Sequence, residues 1–433
     1  MSARRRKGDG ARRMSTTVQG PPRAEVSSRW VGLFAVAWLG IWLAQLTPFQ
    51  LLLPQQINHY LGIGDTLRQD NWHHSLTQFG VVSGVSAICA LIAFPLAGSL
   101  SDRTTSRYGR RRPWIVGGLA LFAVALVLLG MQNTLWGITI GWAVAITGFS
   151  VCSAALTAMI SDQVPVEQRG VVSSWVSAPQ AVGVIIGIAL VSALGAGPVL
   201  GYTLAAILLL ACAIPFVLWV NDPPLDNHLP RLTVRRLLGE LWISPREQPD
   251  FGWTLLGRIL VNVGNALGTS LLLFFLQFGL HIHDPNGPLL IVTAVYMVFV
   301  IGAALGGGVL SDRIGRRKPF VLAAGVCQGG AAIVIACVQN LPATMVAAAL
   351  LGAGFGCFLA VDQALATQVL PDAAHTGKDL GIMNIAMAVP QAIGPLLGAW
   401  VIDAFGGFVA LFVASAVLGI AGGAAVLPVK GVR

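Results

Sequence analysis

Twelve apolar runs, each long enough to cross a bilayer as a helix, constrain this chain more than any other feature. A helix rises 1.5 Å per residue, so about 20 apolar residues cover the ~30 Å hydrocarbon core. Such runs occupy 30–53, 76–100, 113–132, 135–160, 171–194 and 198–220. Beyond a polar, proline-bearing stretch they resume at 251–280, 288–310, 319–338, 342–365, 381–405 and 407–427. In lipid each backbone N–H and C=O needs a partner within its own segment, which makes runs of this length helices. Charge content agrees, with 10% of residues charged against roughly 25% in a soluble domain. The 51 glycines suit helices packed closely in lipid.

The placement of the cations gives the expected topology. All of the 27 Lys and Arg except Arg68 and Arg258 fall in the amino-terminal tail, in alternate loops or in the carboxyl-terminal tail. Lys and Arg accumulate in cytoplasmic loops, so both termini are expected on the cytoplasmic side of the cell membrane. The net charge of +9 is spread over short runs without a continuous basic stripe, which argues against nucleic acid as a partner. Residues 1–29 carry Arg4, Arg5, Arg6, Lys7, Arg12 and Arg13 and read as a disordered basic tail. The run at 30–53 is too long for the apolar core of a cleaved signal peptide. The six cysteines lie singly inside apolar runs, and the histidines of the outer loops lack ligand spacing, so no metal site is expected.

An internal repeat divides the chain in two. Gly98-Ser-Leu-Ser-Asp102-Arg103 at the end of the second run matches Gly308-Val-Leu-Ser-Asp312-Arg313 at the end of the eighth, 210 residues on. Tyr108-Gly-Arg-Arg-Arg-Pro113 then matches Ile314-Gly-Arg-Arg-Lys-Pro319 at an offset of 206, which Gly148 and Gly354 also keep. Pro179-Gln180 and Pro390-Gln391 stand 211 apart. The expected organisation is an all-α membrane protein with twelve transmembrane helices in two pseudo-symmetric six-helix bundles. Its parts are a basic tail (1–29), a first bundle (30–220), a central cytoplasmic loop (221–250), a second bundle (251–427) and a short tail (428–433). Parallel repeats with a solute path between them are one way in which carriers with alternating access are built.

With G-x-x-x-D-R-x-G-R-R between runs eight and nine, and the same pattern between runs two and three with five residues in place of one before G-R-R, the chain resembles the major facilitator superfamily over 30–427. The resemblance implies a transporter, with Gly98, Asp102, Arg103, Gly109, Arg110 and Arg111 and their counterparts Asp312, Arg313, Gly315, Arg316 and Arg317 as a cytoplasmic gate motif. Electrostatically, arginines beside an aspartate at a helix end can pair across the membrane face, and remaking those pairs would bias one open state against the other. The plainer reading is that the cations only set topology, which would need neither the Gly nor the Asp.

For a solute site, Trp38, Trp42, Gln45 and Phe49 recur at helical spacing on one face of the first run, beside Pro48. The seventh run adds Asn262 and Asn265, the fifth Gln180, and the eleventh Asn384 and Gln391. Neutral amides with aromatic platforms suit a small-molecule solute rich in hydroxyls and without fixed charge, for which a carbohydrate is the simplest case. Interhelical amide bonds and interfacial Trp belts are the competing account of each residue taken singly. The loop from Ser101 to Trp114 and the segment Gln45-Leu-Thr-Pro-Phe49 are similar to those of sucrose/proton symporters and of glycoside-pentoside-hexuronide carriers. The drug-antiporter pattern G-x-x-x-G-P-x-x-G is absent from the fifth run, where 178–190 reads APQAVGVIIGIAL. Efflux of drugs or metabolites is the alternative.

Arg258 and Asp362 are the charges well inside the runs, and intramembrane ionisable residues are functional candidates. Counted from the loop ends, both lie ~10–12 Å deep, so a buried ion pair is expected. Protons are the coupling ion to consider at Asp362, although an arginine neighbour opposes protonation. Runs four and five lack the further ionisable groups of the sucrose symporters, apart from Asp162 at the edge, which leaves a passive uniporter open. No Ser/His/Asp set or phosphate loop points to an enzyme, and no cofactor is expected.

Overall fold

The computed structural model describes residues 25–62, 72–222, 248–368 and 376–430. Each of the twelve apolar runs is met by a helix. The first six are α1 (Ser28–Tyr60), α2 (Trp72–Ser101), α3 (Arg112–Gly130), α4 (Leu135–Gln163), α5 (Val166–Ala193) and α6 (Pro198–Trp219). The second six are α7 (Pro249–Gly279), α8 (Asn286–Ile314), α9 (Lys318–Cys337), α10 (Leu341–Gln368), α11 (Thr376–Phe405) and α12 (Phe408–Ala424). Among the described residues nine of them carry a long enough apolar stretch to cross a membrane, and α5, α11 and α12 carry shorter ones. Most of the expected basic tail and central loop, 1–24 and 223–247, lies outside the described residues.

Local chemistry sets the ends. Ser27 Oγ accepts from the Trp30 N–H at 3.3 Å, so α1 starts two residues before the expected boundary, and Thr134 Oγ1 caps α4 through the Gly137 N–H at 3.1 Å. Pro113, Pro198 and Pro319 stand in the first turns of α3, α6 and α9, where a missing N–H costs nothing.

Two helices depart from plain α geometry, and they occupy the same place in the two halves. α1 contains a π-helical turn at Pro48–Leu52, and α7 one at Phe275–Gly279. In α1 the cause is legible: Pro48 has no N–H to give, and the Leu53 N–H reaches back to the Pro48 carbonyl instead. α7 has no such proline; it breaks at Ser270–Leu271 before the π turn.

Packing repeats as the sequence does. In the first bundle α1 packs on α5 and α6, α4 on α2 and α3, and α3 on α6. In the second, α7 packs on α11 and α12, α10 on α8 and α9, and α9 on α12. The two landmark glycines serve the same contact: a Cβ on Gly148 would lie 2.6 Å from the Phe122 backbone nitrogen of α3, and one on Gly354 2.8 Å from the Ala324 carbonyl oxygen of α9. The bundles meet along α2 with α11 and along α5 with α8. At the first seam the backbones approach closely, a Cβ on Gly80 falling 3.0 Å from the Leu396 Cα.

Candidate functional site

The first gate motif folds into a dense charge network at the end of the molecule where α2 stops and α3 starts. Gly109 adopts φ +109°, a conformation that disfavours side chains, and a Cβ there would strike the Asp222 carboxylate. That glycine lets the chain turn so that Asp222, just past α6, caps α3. Its Oδ2 accepts from the backbone N–H groups of Arg111 at 2.6 Å and Arg112 at 2.7 Å. Arg111 is 2% exposed. Its Nε donates to Asp162 Oδ2 at 2.8 Å, its Nη1 to Ser101 Oγ at 2.5 Å, and its Nη2 pairs with Asp102. Arg110 pairs with Asp102 at 2.8 Å and with Asp162 at 3.5 Å. Two carboxylates, Asp102 and Asp162, thus hold two guanidinium groups while a third, Asp222, caps the backbone, joining α2, α3, α4 and the end of α6. Burial of charge is tolerated because partners satisfy it from several sides.

Some expected members play other parts. Arg103 donates to its own helix, at the Ser99 carbonyl, 2.8 Å. Gly98 is not needed for space, since a Cβ there would meet nothing within 4 Å; its carbonyl accepts from the Asp102 N–H at 3.1 Å. Asp222 escaped sequence reasoning because it stands in a polar stretch, and only the turn at Gly109 brings it to the motif.

The described part of the second copy shows other contacts. Gly315, at φ +66°, closes α8 with its N–H on the Ser311 carbonyl at 2.9 Å. Arg313 and Arg316 are exposed and Arg317 is half-buried, while the Asp312 side chain lies outside the described residues. Near the start of α9, Lys318 Nζ donates to the Val429 carbonyl, beyond the end of α12. The Lys430 N–H donates to Asp250 Oδ1 at 3.0 Å.

On α1 the expected face divides. Trp38 is buried and stacks on Trp42 at 5.7 Å, and Trp42 meets Phe149 of α4 at 5.7 Å. Phe49 stacks on Trp142 of α4 and meets Phe79 of α2 at 5.6 Å. Trp42, Gln45 and Phe49 keep half-buried surfaces. The Trp38 indole N–H and Gln45 Oε1 have no hydrogen-bond partner among the described residues. Asn262 and Asn265 lie inside the second bundle, away from that face. Asn262 Nδ2 donates to the Arg258 carbonyl at 2.8 Å, and Asn265 Oδ1 accepts from the Tyr296 hydroxyl at 3.0 Å. Gln180 and Gln391 are half-buried, and the Asn384 side chain is outside the described residues.

The described hydrogen bonds and ring contacts between the bundles fall at the end remote from the gate loops. Asn58 Nδ2 donates to Gln277 Oε1 at 3.1 Å, with Ser75 bonded to Asn58, and Gln55 Nε2 donates to Asn286 Oδ1 at 2.8 Å. Phe79 meets Phe274 at 5.4 Å, and Trp72 stacks on Phe408 at 5.1 Å and on Phe278 at 5.9 Å. The α7 π turn itself supplies Gln277 and Phe278 to this seal, and Gln55 and Asn58 follow the π turn of α1. The run Gln55-Gln56-Ile57-Asn58 at the end of an apolar stretch was the signal for it.

The expected pair is present: Arg258 Nη2 lies 2.5 Å from Asp362 Oδ2, bridging α7 and α10, with both side chains buried. The Major Facilitator Superfamily model matches residues 30–327 and 259–432, nearly the whole described chain. The chain belongs to the Major Facilitator Superfamily. Within that superfamily it is 24% identical to the inner membrane transport protein YajR of Escherichia coli over 78% of this chain and 72% of that one. It is 25% identical to the multidrug resistance protein MdtG of Proteus mirabilis over 88% and 91%. With the sucrose transport protein SUC4 of Arabidopsis thaliana the identity rises to 34%, over 30% of this chain and 22% of the relative. A solved structure, a POT family transporter in complex with 5-aminolevulinic acid, superposes at TM-score 0.69 with 13% identity, covering 92% of this chain and 95% of that one. This superfamily member is therefore a multi-pass membrane transporter with the expected two-bundle fold.

Proposed function

We propose that this protein carries a small polar, uncharged solute, a sugar or glycoside, across the cell membrane by alternating access, with both termini cytoplasmic. The observation that carries the reading is a continuous line of contacts from the α1 face to the far-end seal. Phe49 touches Phe79 and Phe79 touches Phe274, so a solute resting on Trp42, Gln45 and Phe49 would lie next to the seal. Seal and face consist of amides and rings without a charge, which matches a hydroxyl-rich ligand: amides both donate and accept, and rings cover the apolar sugar face. Gln180 and Gln391 are assigned to the same solute from facing helices. The local likeness to SUC4, named a sucrose transport protein, supports the class. The basic gate loops, on the cytoplasmic side by the cation rule, are tied within their own bundles among the described contacts, which fits a carrier closed outside and open inside.

Binding of a labelled sugar panel to purified protein in detergent tests this. The expected result is saturable binding of at least one uncharged sugar, weakened at least tenfold in Gln45→Ala. Failure of every sugar, with amphipathic cations bound instead, would favour the second reading, export of drugs or metabolites. The likeness to MdtG over nine-tenths of its length supports that reading.

A further inference from the structure

Three helix ends converge at one corner of the first bundle, at the gate-loop end. α6 stops at Trp219, α1 starts at Ser28 and α3 at Arg112, and α6 packs on both of the other helices. Each starting helix brings a guanidinium to the last turn of α6. Arg29 lies over the Trp219 ring, 4.8 Å from its centre, and Arg112 Nη2 donates to the Leu218 carbonyl at 2.9 Å. The backbone around Arg29 is tied down, so its place is set by the fold. The Val26 N–H donates to Gln168 Oε1 at 3.0 Å, and the Trp30 indole N–H donates to Gln163 Oε1 at 2.9 Å.

Neither guanidinium has an acidic partner among the described residues. Asp222, just past α6, is spent on the backbone N–H groups of Arg111 and Arg112, and the exposed Glu25 pairs with neither side chain. Contacts to one ring and one carbonyl leave most of the N–H donors of Arg29 and Arg112 unused by protein. Trp219 is 65% exposed, and an exposed apolar stripe of Leu218, Ile214 and Ile207 runs from it along one face of α6. Cations without a counter-ion, an exposed indole and a bare apolar stripe follow one another along this membrane helix. That order matches the headgroup, interface and acyl regions of a lipid leaflet.

We propose that this corner binds one anionic phospholipid, its phosphate between Arg29 and Arg112 and an acyl chain along the α6 stripe. Guanidinium groups suit phosphate because their planar N–H forks meet its oxygens in pairs. A free phosphate ion would make no use of the stripe, which commits the site to a lipid. By the cation rule the corner faces the cytoplasmic leaflet, where anionic lipids gather. The sugar reading plays no part in the inference.

Native mass spectra of the full chain, titrated in detergent with phosphatidylglycerol or with phosphatidylcholine of the same acyl chains, test the proposal. One saturable phosphatidylglycerol site is expected, about tenfold tighter than any for phosphatidylcholine and weakened about fivefold or more in Arg29→Gln/Arg112→Gln. Arg313→Gln/Arg316→Gln, which removes two exposed guanidinium groups from the second bundle, should bind as the wild type does. If the first double variant fails to fold, Arg29→Lys/Arg112→Lys replaces it; a weaker site is expected because the fork is lost, and undiminished binding overturns the proposal. Equal affinity for the two lipids, equal weakening by the two Gln variants, or displacement of the lipid by inorganic phosphate would each overturn it too.

Discussion

Asp222 caps α3 with one carboxylate oxygen on two consecutive N–H groups, at 2.6 and 2.7 Å. Replacing a cap residue by Ala costs about 1–2 kcal/mol. Asp222→Ala should therefore lower the melting temperature in detergent and cut transport, with Asp222→Asn closer to wild type; equal melting of all three would contradict the assignment. Arg258 and Asp362 answer to a different rule. Removing one partner of a buried pair leaves an uncompensated charge worth about 3–5 kcal/mol. Arg258→Ala and Asp362→Ala should each destabilise more than the double variant, and unfolding measurements showing additive losses would refute the coupling. These two residues were legible in sequence, since a charge in an apolar run has few explanations. Asp222 was not, because its partners are backbone groups positioned by the turn at Gly109.

Helices, rather than single side chains, explain why landmark glycines recur at a fixed offset. Gly148 and Gly354 let α4 and α10 touch the backbones of α3 and α9. Leucine at either position forces two packed helices apart, and overpacking of this kind costs about 1–3 kcal/mol. Gly148→Leu and Gly354→Leu should each lower the thermal midpoint, whereas Leu at Gly98, where a Cβ meets open space, should leave it within about 0.5 kcal/mol of wild type. The run lengths and the repeat gave away every helix in advance. The π turns were half legible: Pro48 marks the one in α1, but no local sequence rule flags the one in α7, where Phe275 packs on Phe408 and Phe412. The gate motif was readable as a motif, but its surroundings were not: Asp222 follows α6 and caps α3, whereas Lys430 follows α12.

Among the described residues, two bundles meet at the far end through neutral amides and aromatic rings, with ion pairs at the first gate loop and one inside the second bundle. A seal of this kind opens without separating ions, so its opening should depend little on salt. Helical spacing identifies a face but not the neighbour that covers it: α4 rings pack on Trp42 and Phe49, and Tyr296 takes Asn265. The central claim is that a sugar or glycoside crosses between the bundles only when this seal opens. Uptake of labelled sugars into proteoliposomes bearing Asn58→Cys/Gln277→Cys, measured before and after reduction, tests it most directly. Saturable uptake should be lost when the two cysteines are cross-linked and should return on reduction; absence of uptake for every sugar in the reduced protein, or uptake indifferent to the cross-link, would contradict the account.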